Sequence, residues 1–247
     1  MSMTTSVISS VTSSDKVLDF ESPFEKAKLS AVDSHIKSLV YQKDYPCVGA
    51  LRAVKKGEYR IGIYEEFGKG TSSKALKNDL LNFLAEQKKT NSPYLSFWAS
   101  FPEDFVHSEE DFENRLWQEL SSLSSLDIKS WDPNFSSNPD DKNFCFSLDG
   151  SAFFVVGLHS KSSRRSRTFP YPSMIFNLYD QFEIITRMNQ YESMVQTNRK
   201  KGLRFEGDVN PMVEKYGDRW EAIQFSGRQN DDTWKCPFHR FMKGVGL

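Results

Sequence analysis

The chain has 247 residues, with 32 lysines and arginines against 33 aspartates and glutamates, a net charge of −1. That balance carries no global signature of a nucleic-acid or membrane-surface binder, and no run approaches the ~20 apolar residues of a membrane-spanning helix. The length fits one large domain or two small ones.

The N-terminal MSMTTSVISSVTSSD lacks the basic start and apolar centre of a secretory signal. Residues 1–19 read as a loose Ser/Thr-rich tail, and residues 20–247 as one domain of a reduced, cytoplasmic protein. Cys47, Cys145 and Cys236 are odd in number and form no CxxC pair. Neither a disulfide framework nor a structural zinc site is expected from them.

Ser22-Pro23-Phe24-Glu25 is a capping-box start for a helix to Tyr41. Tyr45-Pro46-Cys47-Val48-Gly49 then opens a strand over 47–54, turning at Lys55-Lys56-Gly57 and returning over 59–64. Phe67 to Ser72, FGKGTS, lacks P-loop spacing and reads as a loop before a helix over 73–88. A strand follows over 94–101. Ser108 caps the next helix, whose stripe is Phe112, Leu116, Leu120 and Leu123. Strands over 144–148 and 151–158 flank Asp149-Gly150, a strong hairpin signal. A strand over 173–177, a helix over 179–199 and a short helix from Asn210-Pro211 to Tyr216 complete the chain. The pattern predicts an α+β fold: a single domain with a mostly antiparallel mixed sheet and packed helices.

The stretch Ser151 to Glu183 organises the rest. Ala152 to Leu158 is a near-continuous apolar run, the mark of a strand buried on both faces. His159 ends it, and Lys161, Arg164, Arg165 and Arg167 follow in a serine-rich loop. An imidazole at the rim of an apolar core among cations suits a planar, apolar, anionic cofactor. The residues alone leave other readings open: an ordinary buried histidine, a solvated basic loop, or a phosphate or nucleic-acid contact through Arg164, Arg165 and Arg167. His35, His107 and His239 read as surface residues. No nucleophile elbow, Walker motif, dinucleotide fingerprint or zinc-binding histidine pair is present.

Six motifs occur in order. They are Tyr45-Pro-Cys-Val-Gly49, Trp131-Asp-Pro133, Phe153 to His159 with Ser163-Arg164, Phe176-Asn177 with Gln181-Phe-Glu183, Asn210-Pro-Met212, and Ser226-Gly-Arg228 with Trp234 to Phe238. The ordered set resembles the YqcI/YcgG family, and the chain departs from its pattern at Ser160, Thr186 and Ile223. Family members of known activity are heme-dependent N-oxygenases, including an arginine N-hydroxylase of D-cycloserine formation and a guanidine N-hydroxylase of guanitoxin formation. The resemblance implies heme b with His159 as axial iron ligand, a Cys236 or Cys47 thiolate being the alternative. Heme propionates would need cationic partners, and Arg164 and Arg167, three residues apart in the loop, are the candidates, with Ser163 beside them. Glu183 would be the counter-charge to a small basic amino acid or guanidine, and Arg228 would meet the substrate's carboxylate. Dioxygen and a separate electron donor would complete the reaction, with no nucleic-acid or membrane partner. A non-catalytic heme sensor or carrier is the alternative function.

Overall fold

The computed structural model describes residues 7–10, 23–208, 221–231 and 233–238. Among these residues six strands form one sheet: β1 (Val7–Ser10), β2 (Tyr59–Ile63), β3 (Ser96–Ser100), β4 (Phe146–Leu148), β5 (Ser151–Leu158) and β6 (Ser173–Leu178). Their order across it is β1-β2-β3-β6-β5-β4. Only the β2–β3 pair is parallel among the described strands; the remaining neighbours run antiparallel. The protein is therefore the single α+β domain with a mostly antiparallel mixed sheet that the sequence predicts.

Among the described residues six helices pack on this sheet: α1 (Pro23–Val40), α2 (Val48–Lys56), α3 (Ser73–Thr90), α4 (Glu109–Ser125), α5 (Tyr179–Arg187) and α6 (Tyr191–Glu206). Strand side chains alternate between faces, and that alternation sorts the core into two. Phe97, Ala99, Phe153, Val155, Met174 and Phe176 meet Leu76, Leu80 and Phe83 of α3 and Phe112, Leu116 and Trp117 of α4. On the other face Ile61, Trp98, Leu158 and Ile175 meet Val32 and Ile36 of α1, Val54 of α2 and Phe205 of α6. The β4–β5 hairpin turns through Asp149 (φ 53) and Gly150 (φ 73), the two left-handed residues of a type I′ turn.

Four expectations are corrected. The stretch 47–54 is helix α2, not a strand. Cys47 caps it, its Sγ accepting from the Ala50 amide at 3.3 Å, and cysteine lies outside the usual capping set. Lys55-Lys56-Gly57 is the end of that helix rather than a hairpin turn: Gly57 is left-handed, and its amide donates to the Ala53 and Val54 carbonyls. The helix expected over 179–199 is two helices, α5 and α6, broken at Asn189 (φ 55). Residues 7–10, in the segment read as a loose tail, pair with β2 as an edge strand. The Ser22 cap, the Asn210–Tyr216 helix and His239 lie outside the described residues. Among the described residues no helix is long and apolar enough to cross a membrane.

Candidate functional site

Strand β5 is apolar along its length, yet Phe154 and Val156 are only half-buried while Phe153 and Val155 are fully buried. The difference has a geometric cause. Phe154 and Val156 face a cavity of about 340 Å³ on the α1/α2 side of the sheet. Trp98, Ile175 and Asn177 complete its floor, and Ala50 and Ala53 of α2 and Phe182 and Ile185 of α5 form walls. Helix α6 lies across it. Tyr191, Met194, Val195, Asn198, Gly202 and Leu203 all line the space, at the three- and four-residue spacing that gives one helix face. Of the whole of α6 only Phe205 is buried, so this helix covers a void rather than a packed core.

Cys47 stands on that wall, and among the described residues no other cysteine and no histidine lines the cavity. It caps α2, where unpaired amides and the helix dipole favour negative charge. Burial pushes its thiol up from the ordinary value, while the amides of Ala50 and Gly49 and the charges of Arg167 and Lys201 pull it down. The Val48 amide is held by Asn198 Oδ1 of α6 at 2.9 Å, which ties the lid to this corner. Tyr45 is buried beside it and donates to the Ser166 carbonyl at 3.3 Å.

Arg164 and Arg167 both reach the cavity. Arg167 donates through Nη1 to the Gly157 carbonyl at 3.0 Å and through Nη2 to the Gln224 carbonyl at 3.4 Å. These bonds orient its charge without neutralising it, and burial lowers its affinity for its proton. Arg164 pairs with Asp208 at 2.7 Å and lies 3.9 Å from Glu206. Arg165 is exposed, its guanidinium 4.7 Å above the Phe205 ring. Ser163 is not on the wall; its amide and hydroxyl bind Glu109 Oε1, both at 2.8 Å, and anchor the basic loop to α4.

The remaining predicted residues lie elsewhere. His159 follows Phe153, Val155 and Gly157 in strand parity, so its ring points to the α4 side, away from the cavity. There it is fully buried, stacked on Phe112 at 4.2 Å between centroids. Its Nδ1 accepts from the Lys161 amide at 3.2 Å and its buried Nε2 has no partner. Gly157 makes the approach possible, because a Cβ there would stand 2.5 Å from the Phe112 ring and 2.9 Å from the Phe225 carbonyl. Glu183 is exposed and off the cavity wall. Arg228 is committed to Glu113, which also accepts from Ser226 and Asn230. Cys236, the other thiolate alternative, is buried in the α3/α4 core, where burial pushes its thiol far up. The FGKGTS loop closes on the protein itself: the buried Glu119 carboxyl group accepts from the Gly68 amide at 2.9 Å and from Ser73, and burial pushes its pKa up. Among the described residues no three His, Cys, Asp or Glu side chains converge as a metal cage.

Sequence reasoning gave no role to Glu221, Tyr179 or α6. Glu221 lines the cavity and accepts a bond from the Tyr179 hydroxyl. Only the helical spacing of α6 residues signalled the lid, and it reads the same for a helix on a solid core.

Fold and site define an α+β protein with an apolar, arginine-rimmed cavity and a helix-capping thiol on its wall. The chain belongs to the YqcI/YcgG family, whose pattern matches residues 36–239. It is 26% identical over 207 residues to "Uncharacterized protein YqcI" of Bacillus subtilis (strain 168), covering 80% of this chain and 81% of that one. It is also 26% identical over 208 residues to "Uncharacterized protein YcgG" of the same organism, covering 78% and 80%. No solved structure matches the chain significantly.

Proposed function

We propose that the cavity binds heme b and that the protein is an oxygenase hydroxylating a nitrogen of a small guanidine or amino compound, arginine-like, with dioxygen. Cys47 carries the reading. It is a soft sulfur donor at a helix N-terminus, on the wall of an aromatic cavity that Arg164 and Arg167 also line. Heme iron is held by protein donors such as a cysteine thiolate, and Cys47 would supply that donor here. The donor set fits that group with Cys47 as ligand and does not fit His159, which the sheet separates from the cavity. Arg164 and Arg167 would meet the propionate carboxylates, which arginine can hold bidentately.

Bound there, heme would supply the activation of dioxygen, and the protein would supply binding, orientation and exclusion of side reactions. Trp98, Phe154 and Phe182 keep water from the reacting nitrogen. Helix α6 closes the space, and Asn198 couples its position to the Cys47 corner. The net change turns one N–H into N–OH. One oxygen atom enters the product and the other leaves as water, with two electrons from a separate protein or small-molecule donor and two protons from solvent.

The test is reconstitution with hemin, then turnover with a chemical or enzymatic reductant across a panel of guanidines and amines. Substrate-dependent oxygen consumption and a product heavier by one oxygen support the reading. A heme protein that consumes no oxygen with any of them is a sensor or carrier instead. A colourless protein that takes up no hemin removes both.

A further inference from the structure

Among the described residues three cationic side chains line the cavity: Arg164, Arg167 and Arg199. Two of them have partners within the fold. Arg164 pairs with Asp208 at 2.7 Å and lies 3.9 Å from Glu206. Arg167 is held by the Gly157 and Gln224 carbonyls. Arg199 makes no hydrogen bond or ion pair with any described residue.

Arg199 belongs to the lid. Val195, Arg199, Gly202 and Glu206 follow one another along α6 at spacings of three and four, and all line the space, so they share its inner face. Arg199 is nevertheless exposed. An arginine in contact with both cavity and solvent stands at the mouth, its apolar stem against the wall and its charged head at the opening. The acidic residue of the same face, Glu206, is spent on the protein, its oxygens accepting from the Arg165 and Ser166 amides at 3.0 and 2.8 Å. The preceding residue, Asn198, accepts from the Val48 amide at 2.9 Å. Arg199 is thus carried on a part of α6 that is already tied down over the Cys47 corner.

A basic amino acid has a carboxylate as well as a cationic end, and a guanidinium can hold a carboxylate bidentately. Arg228, the residue that the sequence offers for this role, is committed to Glu113. Arg164 and Arg167 are the partners assigned to the propionates. We propose that Arg199 binds the carboxylate of an amino-acid ligand at the cavity mouth and so selects the acid over its neutral amide. The assignment rests on the small arginine-like substrate of the proposed function but does not need heme. Since Arg199 is part of the lid, the bound carboxylate also holds α6 closed.

The test is calorimetric titration of the full chain, hemin-loaded and hemin-free, with L-arginine and L-argininamide, which replaces the carboxylate with a neutral amide of the same shape. The parent binds arginine roughly tenfold or more tightly than argininamide. Arg199→Gln brings arginine down to the argininamide level and leaves argininamide unweakened. Arg199→Lys, which keeps the charge but not the bidentate geometry, retains part of the preference. Lys200→Gln removes an equally exposed charge that is not on the cavity wall and leaves the preference intact, which separates a contact from a general effect of charge. Equal binding of the two ligands by the parent, no binding of arginine, or a parent-like preference in Arg199→Gln overturns the assignment. A preference for the carboxylate in a protein that takes no hemin sinks the oxygenase reading alone. Hemin uptake and oxygen consumption with arginine and argininamide bound alike sink this one alone.

Discussion

At the scale of single residues, His159 has a buried ring with one ring nitrogen bonded and the other unpartnered. Burial lowers its pKa from 6.5 to about 4; Glu109 and Asp111 of α4 oppose the shift, and Arg167 adds to it. The unfolded chain therefore binds a proton that the folded one refuses. The neutral form's contribution is complete above the unfolded value of 6.5 and is lost as pH falls from there toward about 4. A shift of this size corresponds to roughly 3 kcal/mol. Urea melts at pH 7.5 and 4.5 should show that loss in the parent and a much smaller one in His159→Phe. An equal loss in both would exclude His159 as its source. Arg228 makes a contrasting case. Glu113 is buried and accepts from Arg228 Nη1 at 2.9 Å, so Arg228→Ala leaves a buried carboxylate short of a donor. Thermal melts should show a destabilisation of about 1–3 kcal/mol, with arginine affinity at the cavity unchanged. A selective loss of arginine binding would restore the substrate role read from the sequence. The basic loop was legible because arginines cluster there. The face on which His159 falls was not, since strand parity fixes which residues share a face and not which face bears the cavity.

At the scale of elements, legibility followed the strength of local signals. Helix α4 begins where Ser108 predicts it, with Ser108 Oγ accepting from the Asp111 amide at 3.0 Å. The Asp149-Gly150 hairpin is where the dipeptide puts it. The sequence suggests a strand in place of helix α2 because its valines and glycine favour other structures locally, while Cys47, Asn198 and the packing of Val54 hold it as a helix. Helix α6 carries the element-scale prediction. Its inner face covers the cavity and it has few buried contacts of its own, so its local stability should depend on what fills the space. Hydrogen exchange should slow across Tyr191 to Glu206 when hemin is added, with little change in α3 and α4. Uniform slowing in all helices, or none in α6, would contradict the lid assignment.

Across the whole molecule the two sides of the sheet differ in what they enclose. The α3/α4 side is a closed aromatic core, with Trp117, Phe112, Phe144 and Phe153 fully buried. The α1/α2/α6 side holds the cavity. The sequence does not distinguish the two, because an apolar side chain suits a filled core and an apolar binding site equally. Gly157→Ala tests the closed side. Its new methyl would meet the Phe112 ring, which is stacked on His159, and the Phe225 backbone carbonyl, and the carbonyl cannot yield without moving its backbone. Thermal melts should show a loss of about 1–3 kcal/mol; a neutral change would mean that this interface is looser than described.

The central claim is that the cavity side, through Cys47, holds a heme. It is tested most directly by the ferrous–carbonyl absorption spectrum of the hemin-loaded protein, taken for the parent, Cys47→Ser and His159→Ala. The account predicts the red-shifted Soret band of thiolate ligation in the parent, its loss in Cys47→Ser, and its retention in His159→Ala. A band at the histidine-ligated position in the parent that disappears in His159→Ala and persists in Cys47→Ser would contradict it.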